Sequence, residues 1–177
     1  MSNYLIDIED AIIAKITSAT RPDDNTRNFF NRVDVFRGEK AEVFLAVARE
    51  TAPSVWLRLD RILNKPEEFR GARRLGQPVT EGTLRNEISC VWSVFLCARS
   101  LRATKELSHG GPGVIGAYDM INLVVGPSGS PPATPGQLRG WSPIANAEPF
   151  TFVGLELLGQ TTTETVYESQ FRTRIQL

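Results

Sequence analysis

The residues able to do acid–base or covalent chemistry are few. One histidine serves all 177 residues, His109, and it stands in the string His109-Gly110-Gly111-Pro112-Gly113. That string matches the glycine motif that builds the oxyanion hole in some α/β-hydrolases, where backbone amides must approach an anionic tetrahedral intermediate. Such an enzyme also needs a serine at a G-x-S-x-G elbow and a separate histidine to take the hydroxyl proton. Gly126-Pro127-Ser128-Gly129 fails the elbow spacing, and the motif has used the sole histidine. The glycine string therefore reads as a turn.

The remaining chemistry-bearing residues do not assemble into a centre either. Cys90 and Cys97 are the whole thiol inventory. Both fall in one predicted strand, and their odd separation sends them to opposite faces, where they cannot bond each other. One histidine and two divergent cysteines do not converge on a zinc ion, so no metal is expected. The expectation for the thiols is burial, free, in a reducing cytoplasm. Asp23-Asp24 and Glu67-Glu68 lie in predicted loops and read as solvated charge rather than acid–base pairs. No phosphate-binding glycine-lysine loop is present, and no cofactor is expected. These absences point away from an enzyme and towards a binding or structural protein.

Two arginine clusters stand out. Arg70, Arg73 and Arg74 occupy a long loop, and Arg99, Arg102 and Lys105 follow a long strand. Exposed solubilising charge is one reading. Contact with a polar or acidic protein surface, or with DNA passing through a pore, is the other, since arginine forks hydrogen bonds to such groups.

The chain as a whole suits one domain over residues 1–177, with 41% apolar residues to supply a core. Lysine plus arginine (20) equal aspartate plus glutamate (20), so no global field attracts nucleic acid or an anionic membrane. No apolar run approaches the roughly 20 residues of a membrane span. Asp7, Glu9 and Asp10 interrupt the apolar residues near the N-terminus, and no export signal is expected.

Periodicity supplies the elements. Residues 4–16 place Leu5, Ile8, Ile12 and Ile16 on one helical stripe, with Asn3 or Ser2 as cap and Lys15 near the C-terminal end. Residues 29–36 read as a short strand, and residues 39–50 as a second helix with Ala41, Phe44, Leu45 and Ala48 on one face. Residues 54–62 alternate Val55, Leu57 and Leu59 as a half-buried strand, and Trp56 on the second face implies a cover there too. A loop fills 64–83. Residues 85–102 form a long strand with Ile88, Cys90, Trp92, Val94 and Leu96 on one face and Val91 and Phe95 on the other, which implies a central strand or an oligomer contact.

After the glycine string, residues 114–125 offer Ile115, Tyr118, Ile121, Leu123 and Val125 to a short helix ended by Gly126-Pro127. Residues 126–140 form a second long loop, Pro/Gly/Ser-rich, and Trp141 to Ile144 re-enter the body. Strands over 150–158 and 163–177 close the chain. The last presents Tyr167, Ser169, Phe171, Thr173, Ile175 and Leu177 to a dry face and Glu168, Gln170, Arg172, Arg174 and Gln176 to a wet one. The fold expected is α+β, a mostly antiparallel sheet with helices packed on one face and long loop insertions.

Four segments, taken in order, resemble a known family. Ile8-Glu9-Asp10-Ala11-Ile12-Ile13-Ala14-Lys15-Ile16, Pro53-Ser54-Val55-Trp56-Leu57, Arg99-Ser100-Leu101-Arg102 and Gly116-Ala117-Tyr118-Asp119 are similar to the Mu-like phage and prophage tail proteins. In those phages this small protein is encoded just before the tail sheath and is regarded as the tail terminator. No single segment is a signature; their joint order over most of the chain carries the likeness. It implies a subunit that assembles as a ring, by family a hexamer, on the head-proximal end of a contractile tail. There it would stop tube and sheath polymerisation and present a surface to the neck or connector proteins, in the virion, after assembly in the bacterial host cytoplasm. DNA would pass through the pore without sequence-specific contact, and no membrane is involved. The loops at 64–83 and 126–140 depart from a minimal member, so their contacts do not carry over. Another neck component, such as a head-to-tail adaptor, shares the same size and lack of an active site. The interface residues expected are Trp56 and Val91 on the second faces of their strands, with Arg70, Arg73, Arg74, Arg99 and Arg102.

Overall fold

The computed structural model describes residues 3–21, 24–39, 42, 52–63, 87–99, 108–110, 114–126 and 135–176. Helix α1 spans Tyr4–Thr17, strand β1 Arg32–Val35, β2 Ser54–Leu63, β3 Glu87–Arg99, helix α2 Ala117–Val125, β4 Thr151–Gln160 and β5 Glu164–Gln176. The strands form one mixed sheet in the order β1-β2-β3-β5-β4. β1 runs parallel to β2, and the β2/β3, β3/β5 and β5/β4 pairs are antiparallel. The expected helix over 39–50 and the loop over 64–83 lie outside the described residues, save Glu39 and Glu42.

α1 follows its stripe: Ile8, Ile12 and Ile16 are fully buried, and Asp7 and Lys15 sit at the ends the helix dipole favours. The cap differs from expectation. Asn3 holds the N-cap position without a side-chain hydrogen bond, and its backbone oxygen accepts from the Asp7 amide instead. At the other end the Ser18 hydroxyl donates to Lys15 O at 2.7 Å. Arg37 ties the helix to the segment after β1 through Glu9, 2.9 Å from Nη2 to Oε1.

The first strand is shorter than 29–36. Thr20 and Asn28 form an antiparallel bridge and the Phe29 amide bonds back to Ala19 O, so the backbone before β1 is committed to a turn. Phe29 and Phe30 serve as core residues there, edge to face at 4.9 Å.

β2, β3 and β5 carry two apolar faces. On the first, Val55, Leu57, Trp92, Val94, Leu96, Phe171 and Ile175 join Ile8, Ile12 and Ile16 of α1 and Met120 and Val124 of α2 in one cluster. On the second, Trp56, Phe95, Cys97 and Val166 form a smaller cluster with Phe36 and Leu158. β3 is the central strand, and that position accounts for its two-sided apolar pattern.

Three expectations need correction. In α2 the buried positions are Ala117, Met120, Val124 and Val125, whereas Tyr118 stays exposed. The helix begins only at Ala117, so the spacing 117, 120, 124 turns inward and Ile115, Ile121 and Leu123 flank the core rather than lead it. In β5 the supposed wet face is dry at its N-terminal half: Val166 belongs to the second cluster, and Glu168 is 1% exposed. The 126–140 segment is also no free loop at its described end. Gln137 and Leu138 are buried, and the Leu138 amide donates to Val124 O at 2.8 Å. Gly126 ends α2 at φ 76°, a conformation that favours glycine, and the Gln137 side chain packs into the space where a Cβ would stand. Residues 127–134 lie outside the described residues.

Candidate interaction surface

His109 and Gly110, the described part of the glycine string, pack against the start of α2. The Gly116 amide donates to Asp119 Oδ2 at 3.1 Å. Gly110 adopts φ 74°, and a Cβ on Gly116 would stand 2.1 Å from the Gly110 nitrogen, so the two backbones cross at a point where a side chain does not fit. His109 lies edge to face on Tyr118 at 5.1 Å. Gly111, Pro112 and Gly113 lie outside the described residues. Tyr118 in turn approaches Tyr167 at 6.5 Å. Burial, and then the neighbouring Tyr118, push the Tyr167 phenol above its ordinary value, so it stays neutral.

The thiols occupy opposite sheet faces, Cys90 in the first cluster and Cys97 in the second. Burial pushes Cys90 up to about 11 and Cys97 further still, which suppresses the thiolate that reactivity requires. Among the described residues no group of three or more His, Cys, Asp and Glu is placed to hold a metal ion, and no helix is long and apolar enough to cross a membrane.

Of the expected interface residues, Trp56, Val91 and Arg99 are among the described ones. Arg70, Arg73, Arg74 and Arg102, with Lys105, lie outside the described residues. Arg99 ends β3 opposite Glu164 of β5, with Nε 3.7 Å from the carboxylate. Trp56 and Val91 are already buried within the subunit. The Arg32 guanidinium lies over the Trp56 ring at 4.5 Å, and the indole Nε1 donates to Ser54 Oγ at 3.3 Å. Val91 sits in register between Arg61 and Arg172. Trp56 is a member of the second cluster, with Phe95, Cys97 and Val166.

The surface that does offer area is on β4. Two rows of side chains cross the first face of the sheet: Val33, Val55, Leu96, Tyr167, Leu157, and Val35, Leu57, Val94, Ser169, Leu155. On β2, β3 and β5, Val55, Leu57, Val94, Leu96 and Ser169 are fully buried and Tyr167 partly so, but Leu157 is 46% and Leu155 43% exposed. Val153, the extra residue in a bulge between Phe152 and Gly154, is 50% exposed, and Tyr118 on α2 borders the patch at 43%. The apolar pattern of the core thus continues past its helical cover. β4 is an edge strand, paired with β5 and, among the described residues, with no strand on its other side. The sequence carried a signal for this, the alternation Val153-Gly154-Leu155-Glu156-Leu157, but periodicity does not reveal which strand lies at an edge.

Behind β4, on the second face, Glu168 is buried and accepts hydrogen bonds at Oε1 from Ser93 Oγ (2.6 Å) and Gln170 Nε2 (3.0 Å). Glu156 stands directly across from it in β4. A cavity of about 220 Å³ opens here, lined by Gly154, Leu155, Glu156, Glu168 and Gln170. Neither the protein-family models nor the curated proteins contain a match to this chain.

Proposed function

We propose that this chain is a non-enzymatic structural subunit of a phage virion, a tail-terminator-like protein that acts by covering and being covered by other protein surfaces. Its body is an α+β layer pair, a mostly antiparallel sheet with helices on one face. In this reading copies assemble into a ring on the head-proximal end of a contractile tail, stop tube and sheath growth, and present a joining surface to the neck.

The observation that carries the binding reading is the pair of core rows that run out uncovered onto edge strand β4. An apolar stripe on an open strand edge is a liability for a subunit that stays alone, and it becomes useful when a partner covers it. The terminator role itself draws on the resemblance of the four ordered segments. Ring closure requires heterologous contacts between different patches of neighbouring copies.

Negative-stain images of the purified protein, alone and mixed with its tail tube protein, test the assignment. Rings, and tubes capped at one end, are expected. A monodisperse monomer that never caps tubes overturns it.

A further inference from the structure

We propose that Arg58, Arg61 and Arg172 form a binding surface on the second face of the sheet for an acidic segment of a partner protein. This inference rests on the reading of the chain as a protein-binding subunit and names the chemistry of one partner.

The pairing register brings the three arginines together. Arg58 of β2 stands opposite Ser93 of β3, and Ser93 opposite Gln170 of β5. In the neighbouring row Arg61 stands opposite Val91, and Val91 opposite Arg172. Directly opposite residues share a face, so all three arginines belong to the side of the sheet that carries Trp56 and Phe95. Arg58 and Arg61 are an odd number of positions apart, and in a regular strand they would point to opposite sides. The bulge between Leu59 and Arg61 re-aims Arg61 and sets it beside Arg58. Two strand spacings, about 10 Å, separate the Arg61 and Arg172 backbones, a gap across which two arginine side chains can reach one anion. Between them β3 contributes only Val91 and Ser93, 3% and 0% exposed, so no large side chain rises among the cations.

Their charge is poorly compensated within the chain. Nη1 of Arg58 is closed off from water and makes no hydrogen bond among the described residues. A guanidinium in that condition has lost part of its hydration with no partner in exchange, and an anion at the open side of its fork restores what is missing. Arg61 meets a carboxylate only at the limit of ion-pair distance, 3.8 Å from its chain neighbour Asp60, and its side chain is 56% exposed. Arg172 is partly exposed and has no ion pair among the described residues. Arg174, further along β5, has Glu148 at 3.9 Å and is not counted in the site.

The acids nearby decide between a long anion and a short one. The next row beyond Arg58 carries Glu168 and the exposed Glu156 on the same face, about 7 Å further along the strands. A nucleic-acid backbone repeats its charge at every nucleotide and would run from the arginines onto Glu156. The balance of 20 basic and 20 acidic residues supplies no wider field to offset that clash. A protein segment carries carboxylates only where its sequence puts them, and the arginine fork matches a carboxylate in bidentate geometry. Carboxylates at alternate positions of an extended segment stand about 7 Å apart, the same step that separates Ser93 from Val91 and hence one arginine row from the next.

Fluorescence anisotropy with a labelled peptide of alternating glutamate and serine is the test. The wild-type protein should bind the peptide, and raising salt from about 0.05 to about 0.5 M should weaken binding. Arg61→Ser and Arg172→Ser should each weaken it about tenfold or more, with unchanged circular dichroism. Arg61→Ser, at the more exposed position, carries the test alone if Arg172→Ser unfolds. Arg27→Ser removes the same charge from a side chain 70% exposed in the turn at Asp24 and should leave binding unchanged. No binding by the wild-type protein, or equal weakening by Arg27→Ser, overturns the proposal. Tighter binding of a short DNA duplex through the same arginines also overturns it and makes this a nucleic-acid surface. Rings and capped tubes from a protein that ignores the peptide would sink this surface and leave the terminator reading standing; peptide binding by a protein that never forms rings would do the reverse.

Discussion

Ser93 on β3 donates a 2.6 Å hydrogen bond to Glu168 on β5, between two side chains that are both removed from solvent. With Gln170 adding a second donor at 3.0 Å, this short relay lets a carboxyl group sit beside Phe95 and Val166 on a face otherwise filled by apolar residues. It also explains why the buried side of β5 does not follow simple alternation.

Ser93→Ala removes one of the two donors to Oε1 and leaves Gln170 as the other, at a cost of about 1–2 kcal/mol. Urea denaturation should show that loss with an unchanged m-value. Glu168→Gln, which keeps an acceptor oxygen for Ser93, should cost less than Glu168→Ala.

Leu57 and Leu155 stand in one row but in opposite environments, and their alanine variants should separate. Leu57→Ala should destabilise the subunit by about 2–5 kcal/mol, as for other buried leucines. Leu155→Ala should stay within about 1 kcal/mol when measured on the monomer. Thermal unfolding at high dilution compares the two.

Asp34 is held below its ordinary value of 3.8, first by the Arg32 hydrogen bond and then by the Val35 amide. A depressed carboxyl contributes stability that is fully present above its unfolded value and is lost as pH falls through the lower folded value. The stability gap between wild type and Asp34→Asn should therefore persist at pH 6 and close below about pH 4. The half-exposed side chain keeps the gap small. Chemical denaturation at the two pH values checks the sign.

Cys90 and Cys97 should resist a thiol-specific reagent at pH 8 in the native protein and react fully in denaturant. Burial raises both thiols well above that pH, Cys90 to about 11. Rapid labelling of the folded chain would contradict their placement.

Gly116→Ala sets a Cβ against the Gly110 backbone, which has nowhere flexible to go, and should cost about 2 kcal/mol or more. His109→Ala loses an edge-to-face contact with Tyr118 and should cost about 1 kcal/mol. If the glycines serve packing, calorimetry will rank Gly116 far above His109.

Much of the body was legible in the residues. The Ile8, Ile12, Ile16 stripe and the two faces of β3 follow directly from periods of 3.6 and 2, because burial there is decided by local spacing. The phase of α2 is not legible in its residues, since valines and isoleucines surround the helix and only its start at Ala117 fixes which ones face inward. The burial of Glu168 is not legible in the sequence, because a charged residue carries no sign of the serine 75 positions away that donates to it. The exposed β4 surface is hidden for a topological reason: alternation in 153–157 looks the same in a central strand and in a marginal one, and strand order is a long-range property.

The aspartate that occupies the β1 margin has a consequence for what kind of material these molecules can make. A sheet able to recruit copies on both flanks would lengthen without limit into fibrils. With Asp34 Oδ1 already accepting from the Val35 amide on the marginal strand β1, that flank offers one donor fewer to a recruited strand, and growth of the sheet is hindered there.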